Sequence, residues 1–307
     1  VSARKSTTLD VAGREVAVSN LDKVLYPRAG FTKGEVIDYY VRISPVLLPH
    51  LKARPITLKR YPDGVEGFFF YEKQCPGHRP RWVRTTTVPR SAGGNIHYCV
   101  MDSLPALVWA ANLADIELHT FLHRAPTLRR PDFLAFDLDP WPPAGILLCC
   151  KVGLWVRDVF AALGLKSFAK TSGSKGLQVY VPLNTPTTYG KTKPFAHALA
   201  ELLESQAPGE VVSRMRKSLR AGKVLVDWSQ NDEKKTTVSV YSLRAREKPA
   251  VSTPVTWDEV EAALANKQPL RFEADEVLAR VEKMGDLFAP VLELEQKLPP
   301  LGALRKV

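Results

Sequence analysis

The chain has 307 residues, is 45% apolar, and carries a formal charge of +11 from 43 basic and 32 acidic residues. It is long and apolar enough for a substantial core, and the basic excess favours a polyanionic partner such as nucleic acid. No run of 18 apolar residues exists, which excludes a hydrophobic membrane helix, and the first residues show no secretory pattern.

Residues 1–8 are small, polar and basic, and are expected to be disordered. Val11 to Val18 suggests a short hairpin strand, and Ser19 to Pro27 a loop or short helical turn. Thr32 and Glu35 form a capping box that opens a helix. Its apolar positions Val36, Tyr39, Tyr40, Ile43 and Leu47 follow a period of 3.6. A helix N-terminus flanked by Lys33 and Lys23 offers a phosphate site, the alternative being two solvated lysines. Pro55 to Tyr61 reads as a strand closed by the turn Pro62-Asp63-Gly64. The four aromatics Phe68 to Tyr71 cannot all face one core, so some should reach the surface, where rings can stack on bases. Residues 79–99 look like a basic hairpin, with Arg79, Arg81, Arg84, Arg90 and a Gly93-Gly94 turn. Residues 103–114 read as a helix, and Ile116 to Phe121 as a strand bearing His119.

The four cysteines, Cys75, Cys99, Cys149 and Cys150, follow no disulfide framework, which sets the expectation of a reducing cytoplasm. Cys75-Pro-Gly-His78 and His97-Tyr-Cys99 raise the question of zinc. The single residue inside the second pair is unusual for a structural zinc site, so both are read as ordinary hairpin residues.

The stretch Phe133-Leu134-Ala135-Phe136-Asp137-Leu138-Asp139-Pro140 reads as a strand. Alternation puts Leu134, Phe136 and Leu138 on an apolar face and Asp137 and Asp139 together on the other, about 7 Å apart. Roughly one Asp-x-Asp arises by chance in a chain of this length, so the spacing by itself is weak. Clustered carboxylates of this kind are what a pair of Mg²⁺ or Mn²⁺ ions needs for in-line phosphoryl transfer. Downstream come an apolar helix over 144–164, a strand from Lys166 to Thr171, the tight turn Ser172-Gly173-Ser174-Lys175-Gly176 and a strand from Leu177 to Leu183. The turn supplies N–H groups, hydroxyls and a cation suited to a triphosphate, and it is not a Walker A loop. Residues 191–206 read as a helix. Residues 214–223 hold five basic residues and no carboxylate, as a phosphate-contacting loop would. Val224 to Trp228 is a strand that supplies Asp227, Thr236 to Tyr241 is another, and helices follow over 256–264 and 274–284, the first with a capping box at Thr256.

Phe136-Asp137-Leu138-Asp139-Pro140, Thr171 to Leu177, Lys217 to Lys223, Val226 to Asn231 and Tyr241 to Arg244, with Asn20 to Pro27 and Tyr71 to Gln74, closely resemble the polymerase domain of bacterial LigD. This is the archaeo-eukaryotic primase superfamily enzyme of non-homologous end joining, and the resemblance spans almost the whole chain. It implies a mixed α/β (α+β) primase-polymerase fold of two packed sheets with flanking helices, and one catalytic domain over residues 1–307. The absence of ligase and nuclease modules suggests a stand-alone member of the Prim-PolC or PolD type. By position, Asp137, Asp139 and Asp227 would hold two Mn²⁺ or Mg²⁺ ions. Lys59, His119, Ser172, Lys175, Gln178, Gln230 and Arg244 would bind a nucleoside triphosphate. Phe70 and Tyr71 would stack on the template, the second ring having gained a hydroxyl. Asn20, Lys23 and Lys33 would hold a downstream 5′-phosphate, and Arg220 lies on a loop that handles DNA ends.

One position departs from the pattern: the family usually has His where this chain has Gln178. Glutamine donates a hydrogen bond but carries no charge, and a charge-assisted bond is worth about 1–3 kcal/mol, so weakened triphosphate binding is expected. The reading is a primer-extending nucleotidyltransferase acting on gapped, 5′-phosphorylated or broken DNA and favouring ribonucleotides. Its expected partners are an ATP-dependent DNA ligase and Ku, with no membrane, as a monomer at the bacterial nucleoid. The alternatives are a de novo primase, or a DNA-end or gap-binding scaffold for a ligase with weakened catalysis.

Overall fold

The apolar alternation around the two aspartates builds a strand at the heart of a sheet. The computed structural model describes residues 6–90 and 93–306, and these divide into two compact units. Unit one comprises the described residues up to Pro126 with Thr236–Val251 and Phe272–Gly285. Unit two comprises Thr127–Lys235, Ser252–Arg271 and the described residues from Asp286. The mixed α/β class expected from the sequence is what forms.

In unit two a six-stranded sheet runs in the order Val211–Val212, Val224–Asp227, Phe133–Pro140, Leu177–Pro182, Phe168–Thr171, Pro254–Val255. All pairs are antiparallel except the first, which is parallel. Leu134, Phe136 and Leu138 are fully buried, as the alternation requires. The helix Ile146–Ala162 covers this face and comes close because it carries Gly153. A Cβ there would stand 2.7 Å from Leu177 Cδ2 and 3.6 Å from Leu138 Cδ1. Phe136 meets Phe160 of that helix at 5.7 Å between ring centres. Helix Tyr189–Gln206 and the capped helix Trp257–Asn266 complete the cover.

In unit one the second sheet runs Thr237–Val238, Asp115–Thr120, Pro55–Arg60, Asn95–Val100, Thr85–Pro89, with Phe70–Glu72 added beside Pro55–Arg60. Helix Lys33–Leu51 starts at the Thr32–Glu35 capping box, with both reciprocal bonds made. Its apolar stripe is buried, and Tyr40 and Tyr39 donate their hydroxyls to Ile116 O at 2.6 Å and Tyr241 O at 2.8 Å. Two buried tyrosines thus satisfy their polar ends on backbone carbonyls.

Four expectations change. Residues 6–8 are not disordered: they begin the strand Ser6–Val11, which pairs with Arg14–Ser19 from Ser6↔Ser19 onward. Residues 1–5 lie outside the described residues. Within the stretch read as loop or helical turn, Val24–Tyr26 pairs with Phe31–Thr32. The strand expected over Thr236 to Tyr241 is only Thr237–Val238. Cys75 and Cys99 are not ordinary hairpin residues but form a disulfide, because Cys75 N–H donates to His97 O at 2.7 Å and lays its segment along the strand bearing Cys99. Among the described residues no helix is long and apolar enough to cross a membrane.

Candidate active site

In unit two Asp137 lies between Gln178 on one neighbouring strand and Asp227 on the other. Residues directly opposite on antiparallel strands share a face, with Cβ atoms about 4.5–5.5 Å apart. Asp137, Asp139, Asp227 and Gln178 therefore share one face of the sheet. Burial pushes the Asp137 carboxyl up to about 7, and Asp139 and then Asp227 add to it by like-charge repulsion, while Gln178 and Lys170 oppose the shift. Its Oδ1 is buried and has no hydrogen-bond partner. Asp227 is engaged: Oδ1 accepts from Ser229 N–H at 2.8 Å and Ser229 Oγ at 2.5 Å, and Oδ2 accepts from Gln230 Nε2 at 3.0 Å. It caps the short 3₁₀ turn Trp228–Gln230, and Lys235 reaches the same Ser229 hydroxyl.

On this same face, across from Gln178, sits a lysine that sequence reasoning passed over. Lys170 is fully buried and lies opposite Gln178. Its Nζ donates to Gln178 Oε1 at 2.5 Å and to Ser252 Oγ at 2.6 Å. With the amide oxygen of Gln178 so used, its NH₂ is the end left to donate to Asp137. The signal in the sequence was a lysine among apolar strand residues, whose register could not be known.

The turn Ser172 to Gly176 closes on itself. Ser172 N–H donates to Gly176 O at 2.9 Å, and Ser172 Oγ accepts from Ser174 N–H at 3.2 Å and Gly176 N–H at 3.1 Å. It lies directly on the aspartate strand: a Cβ on Gly176 would stand 2.1 Å from Leu138 O, which only glycine permits. Lys175 is exposed on this turn. The basic loop also joins the aspartate strand, through Trp141 N–H to Lys223 O at 2.9 Å and Gly222 N–H to Pro142 O at 3.1 Å. Arg220 on that loop donates to Met215 O.

A divalent cation fits this face. The oxygens are hard ligands, one of them is buried without a partner, and the crowding that raises Asp137 is what a cation relieves. Among the described residues no three acidic, His or Cys side chains form a ready-made cage, in keeping with the turn of Asp227 toward Ser229 and Gln230.

In unit one Lys59, His119 and Arg244 are gathered by Glu117, which sequence reasoning did not single out. Glu117 is only 1% exposed. Its Oε2 meets Lys59 Nζ at 3.1 Å, His119 Nε2 at 3.0 Å and Arg244 Nε at 3.3 Å. Its Oε1 accepts from Tyr61 Oη at 3.3 Å and Ala245 N–H at 3.1 Å. Burial works to raise its pKa, but the His119 bond and the charges of Arg244, His119 and Lys59 hold it well below the usual carboxylate range. Burial lowers the His119 pKa, and Glu117 pulls the other way. The clue was the spacing Glu117-Leu118-His119, which puts both side chains on one strand face.

The Lys59 amine also lies 5.3, 4.9 and 5.4 Å from the ring centres of Tyr61, Phe69 and Tyr71. Phe68 and Tyr71 are 68% and 53% exposed, as the aromatic run predicted. Phe70 is only half-exposed, packed against Phe68 at 5.9 Å and under Arg60 at 5.2 Å.

Asn20, Lys23 and Lys33 come together around the start of the long helix of unit one. Lys23 N–H donates to Asn20 O at 3.0 Å, and Lys33 N–H to Lys23 O at 2.8 Å. Lys23 Nζ donates to Pro62 O at 2.6 Å and pairs with Asp63 at 3.4 Å. Lys33 is 5% exposed, so it is not a solvated lysine. Its amine is lowered to about 8 by burial and then by the Lys23 charge.

Comparison with known proteins identifies relatives. The family model described as the LigD primase-polymerase domain matches residues 32–288. The multifunctional non-homologous end joining protein LigD of Mycolicibacterium smegmatis is 41% identical over 282 residues, covering 90% of this chain and 36% of that protein. The bifunctional non-homologous end joining protein LigD of Bacillus subtilis is 30% identical over 268 residues, covering 87% of this chain and 42% of that protein. The chain thus spans well under half the length of these relatives. The polymerase domain from Mycobacterium tuberculosis Ligase D, solved in complex with DNA, superposes with a TM-score of 0.86 at 39% identity, covering 92% of this chain and 99% of that one.

Proposed function

The chain belongs to the LigD primase-polymerase domain family, and on that premise we propose that it extends a DNA 3′-hydroxyl on gapped or broken DNA during repair. It is a nucleotidyltransferase with nucleoside triphosphates as substrates and a requirement for divalent metal, for which we propose Mn²⁺ or Mg²⁺. The observation that carries the reading is the aspartate face: two carboxylates on a central strand, with the buried Asp137 Oδ1 lacking any partner.

The reaction joins the 3′-oxygen to the α-phosphorus in line and releases pyrophosphate. Divalent cations, when bound by Asp137, Asp139 and Asp227, supply the positive charge that lowers the pKa of the hydroxyl and offsets charge on the leaving group. In unit two the N–H groups and hydroxyl of Ser172, the amine of Lys175 and the amides of Gln178 and Gln230 contact the nucleotide. In unit one Lys59, His119 and Arg244, held in place by Glu117, contact nucleotide, and Phe70 and Tyr71 stack on template bases. Asn20, Lys23 and Lys33 receive a downstream 5′-phosphate, and Arg220 contacts the DNA end. Both units belong to one catalytic domain over residues 1–307. A ligase and Ku are its proposed partners, and ribonucleotides its preferred substrates. Gln178 favours a second reading, in which weakened catalysis leaves a gap-binding scaffold.

The test is primer extension across a short 5′-phosphorylated gap with Mn²⁺ and ribo- or deoxyribonucleotides. Extension that Asp137→Ala/Asp139→Ala abolishes supports the polymerase. Gap binding without extension, restored by Gln178→His, supports the scaffold.

A further inference from the structure

The aspartate strand ends at Pro140, paired with Val224, and the chain just beyond it carries an indole. Trp141 N–H donates to Lys223 O at 2.9 Å, which holds Trp141 beside Lys223, two residues past Asp139. The indole is 37% exposed, and among the described residues no ring or cation stacks on it. Lys223 is its direct cross-strand neighbour. The loop leading to Lys223 carries Arg214, Arg216, Lys217 and Arg220, and Met215 lies exposed among them. Arg216 and Lys217 are exposed and have no carboxylate partner among the described residues. The loop is tied to the Trp141 segment a second time by Gly222 N–H to Pro142 O at 3.1 Å.

More than a third of the indole faces solvent without a ring or cation of the described residues stacked on it, and an aromatic plane set in a basic surface is the arrangement that holds single-stranded nucleic acid. We propose that Trp141 is a stacking platform for an unpaired nucleobase of the DNA strand whose 3′-end is extended, with Arg216 and Lys217 on that strand's phosphates. The charge of the loop selects a polyanion, and the position of Trp141, two residues past Asp139, selects the strand end nearest the reacting hydroxyl. Only the identity of the strand rests on the polymerase reading; stacking on an unpaired base does not.

The test measures binding without metal or nucleotide. Fluorescein-labelled duplexes with a 3′ single-stranded overhang, with an abasic 3′ overhang, or with blunt ends are titrated with the whole chain and read by anisotropy. Trp141→Ala should weaken overhang binding about tenfold and leave blunt-duplex binding within about twofold, and Trp141→Phe should stay within about twofold of the parent on both. The abasic overhang should bind the parent as weakly as the normal overhang binds Trp141→Ala. Unchanged overhang affinity in Trp141→Ala, equal losses on overhang and blunt duplex, or the same loss on the abasic overhang would overturn the platform. Trp141-dependent binding in a chain that extends no primer would overturn the polymerase reading alone.

Discussion

Two carboxylates in this chain, the half-buried Asp137 in unit two and the buried Glu117 in unit one, titrate in opposite directions. Burial raises both. Asp137 has Asp139 and Asp227 as neighbours, so repulsion adds to burial and its pKa rises to about 7. Glu117 is met by Lys59, His119 and Arg244, whose attraction more than reverses the effect of burial. The neighbours, rather than the depth, decide whether a buried acid is a site that attracts a cation or a strut that holds cations in place. Lys33 is the basic counterpart of Asp137, buried and beside the like charge of Lys23.

The strongest way to break this comparison is to remove the acidic face. Asp137→Ala/Asp139→Ala should lower primer extension by about 10³-fold or more, since metal ions stabilise such transition states by several kcal/mol. Circular dichroism should show the fold kept. Unchanged extension would mean that the crowding of these carboxylates serves something else. Next comes Glu117→Gln, which keeps the shape but leaves Lys59 and Arg244 without their counter-ion and changes the partner of His119. Removing one partner of a buried ion pair costs about 3–5 kcal/mol, so chemical denaturation should show a loss of that order. Extension kinetics should show a higher KM for nucleotide with kcat less affected, whereas equal loss in both would make Glu117 merely structural.

Gln178→His asks whether the uncharged donor beside Asp137 limits turnover. A charge-assisted bond is worth about 1–3 kcal/mol, so nucleotide KM should fall roughly tenfold. Lys170 qualifies this expectation, because it bonds Gln178 Oε1 and would require an imidazole nitrogen as acceptor in its place. A variant no better than the parent would show that the Lys170 charge already acts through Gln178.

The smallest effect is expected at Lys33. Because its folded pKa is near 8, Lys33 loses its proton as pH rises through that value. The preference for 5′-phosphate over 5′-hydroxyl DNA should shrink between about pH 7 and 9, and Lys33→Met should remove that dependence. The sign for stability is opposite. Between about 8 and the ordinary lysine value of 10.5 the unfolded chain binds the extra proton, so stability rises with pH across that window.

What was legible in the sequence was local. The boxes at Thr32–Glu35 and Thr256–Glu259, the turn Ser172 to Gly176 and the shared face of Asp137 and Asp139 depend on residues two to four apart, where backbone geometry alone sets which side chains meet. The resemblance added residue roles to those positions, but not the groups that hold the residues in place. Glu117 was overlooked because its partner Arg244 arrives from far along the chain. Lys170 looked like any strand lysine until its register put it opposite Gln178. Cys75 and Cys99 carried no spacing signal, and their meeting follows from the path of one loop along a strand.

Local spacing thus fixed the central strands, the capped helices, the shared face of Asp137 and Asp139, and the basic, carboxylate-free loop over 214–223, while the strands at Ser6–Val11 and Val24–Tyr26 escaped it. Long-range packing set the rest: Asp227 opposite Asp137, the three basic side chains gathered at Glu117, and Trp141 beside Lys223. Local periodicity dictates which way neighbouring side chains point, whereas contacts between distant segments follow from sheet order and register, which are settled by how whole elements pack.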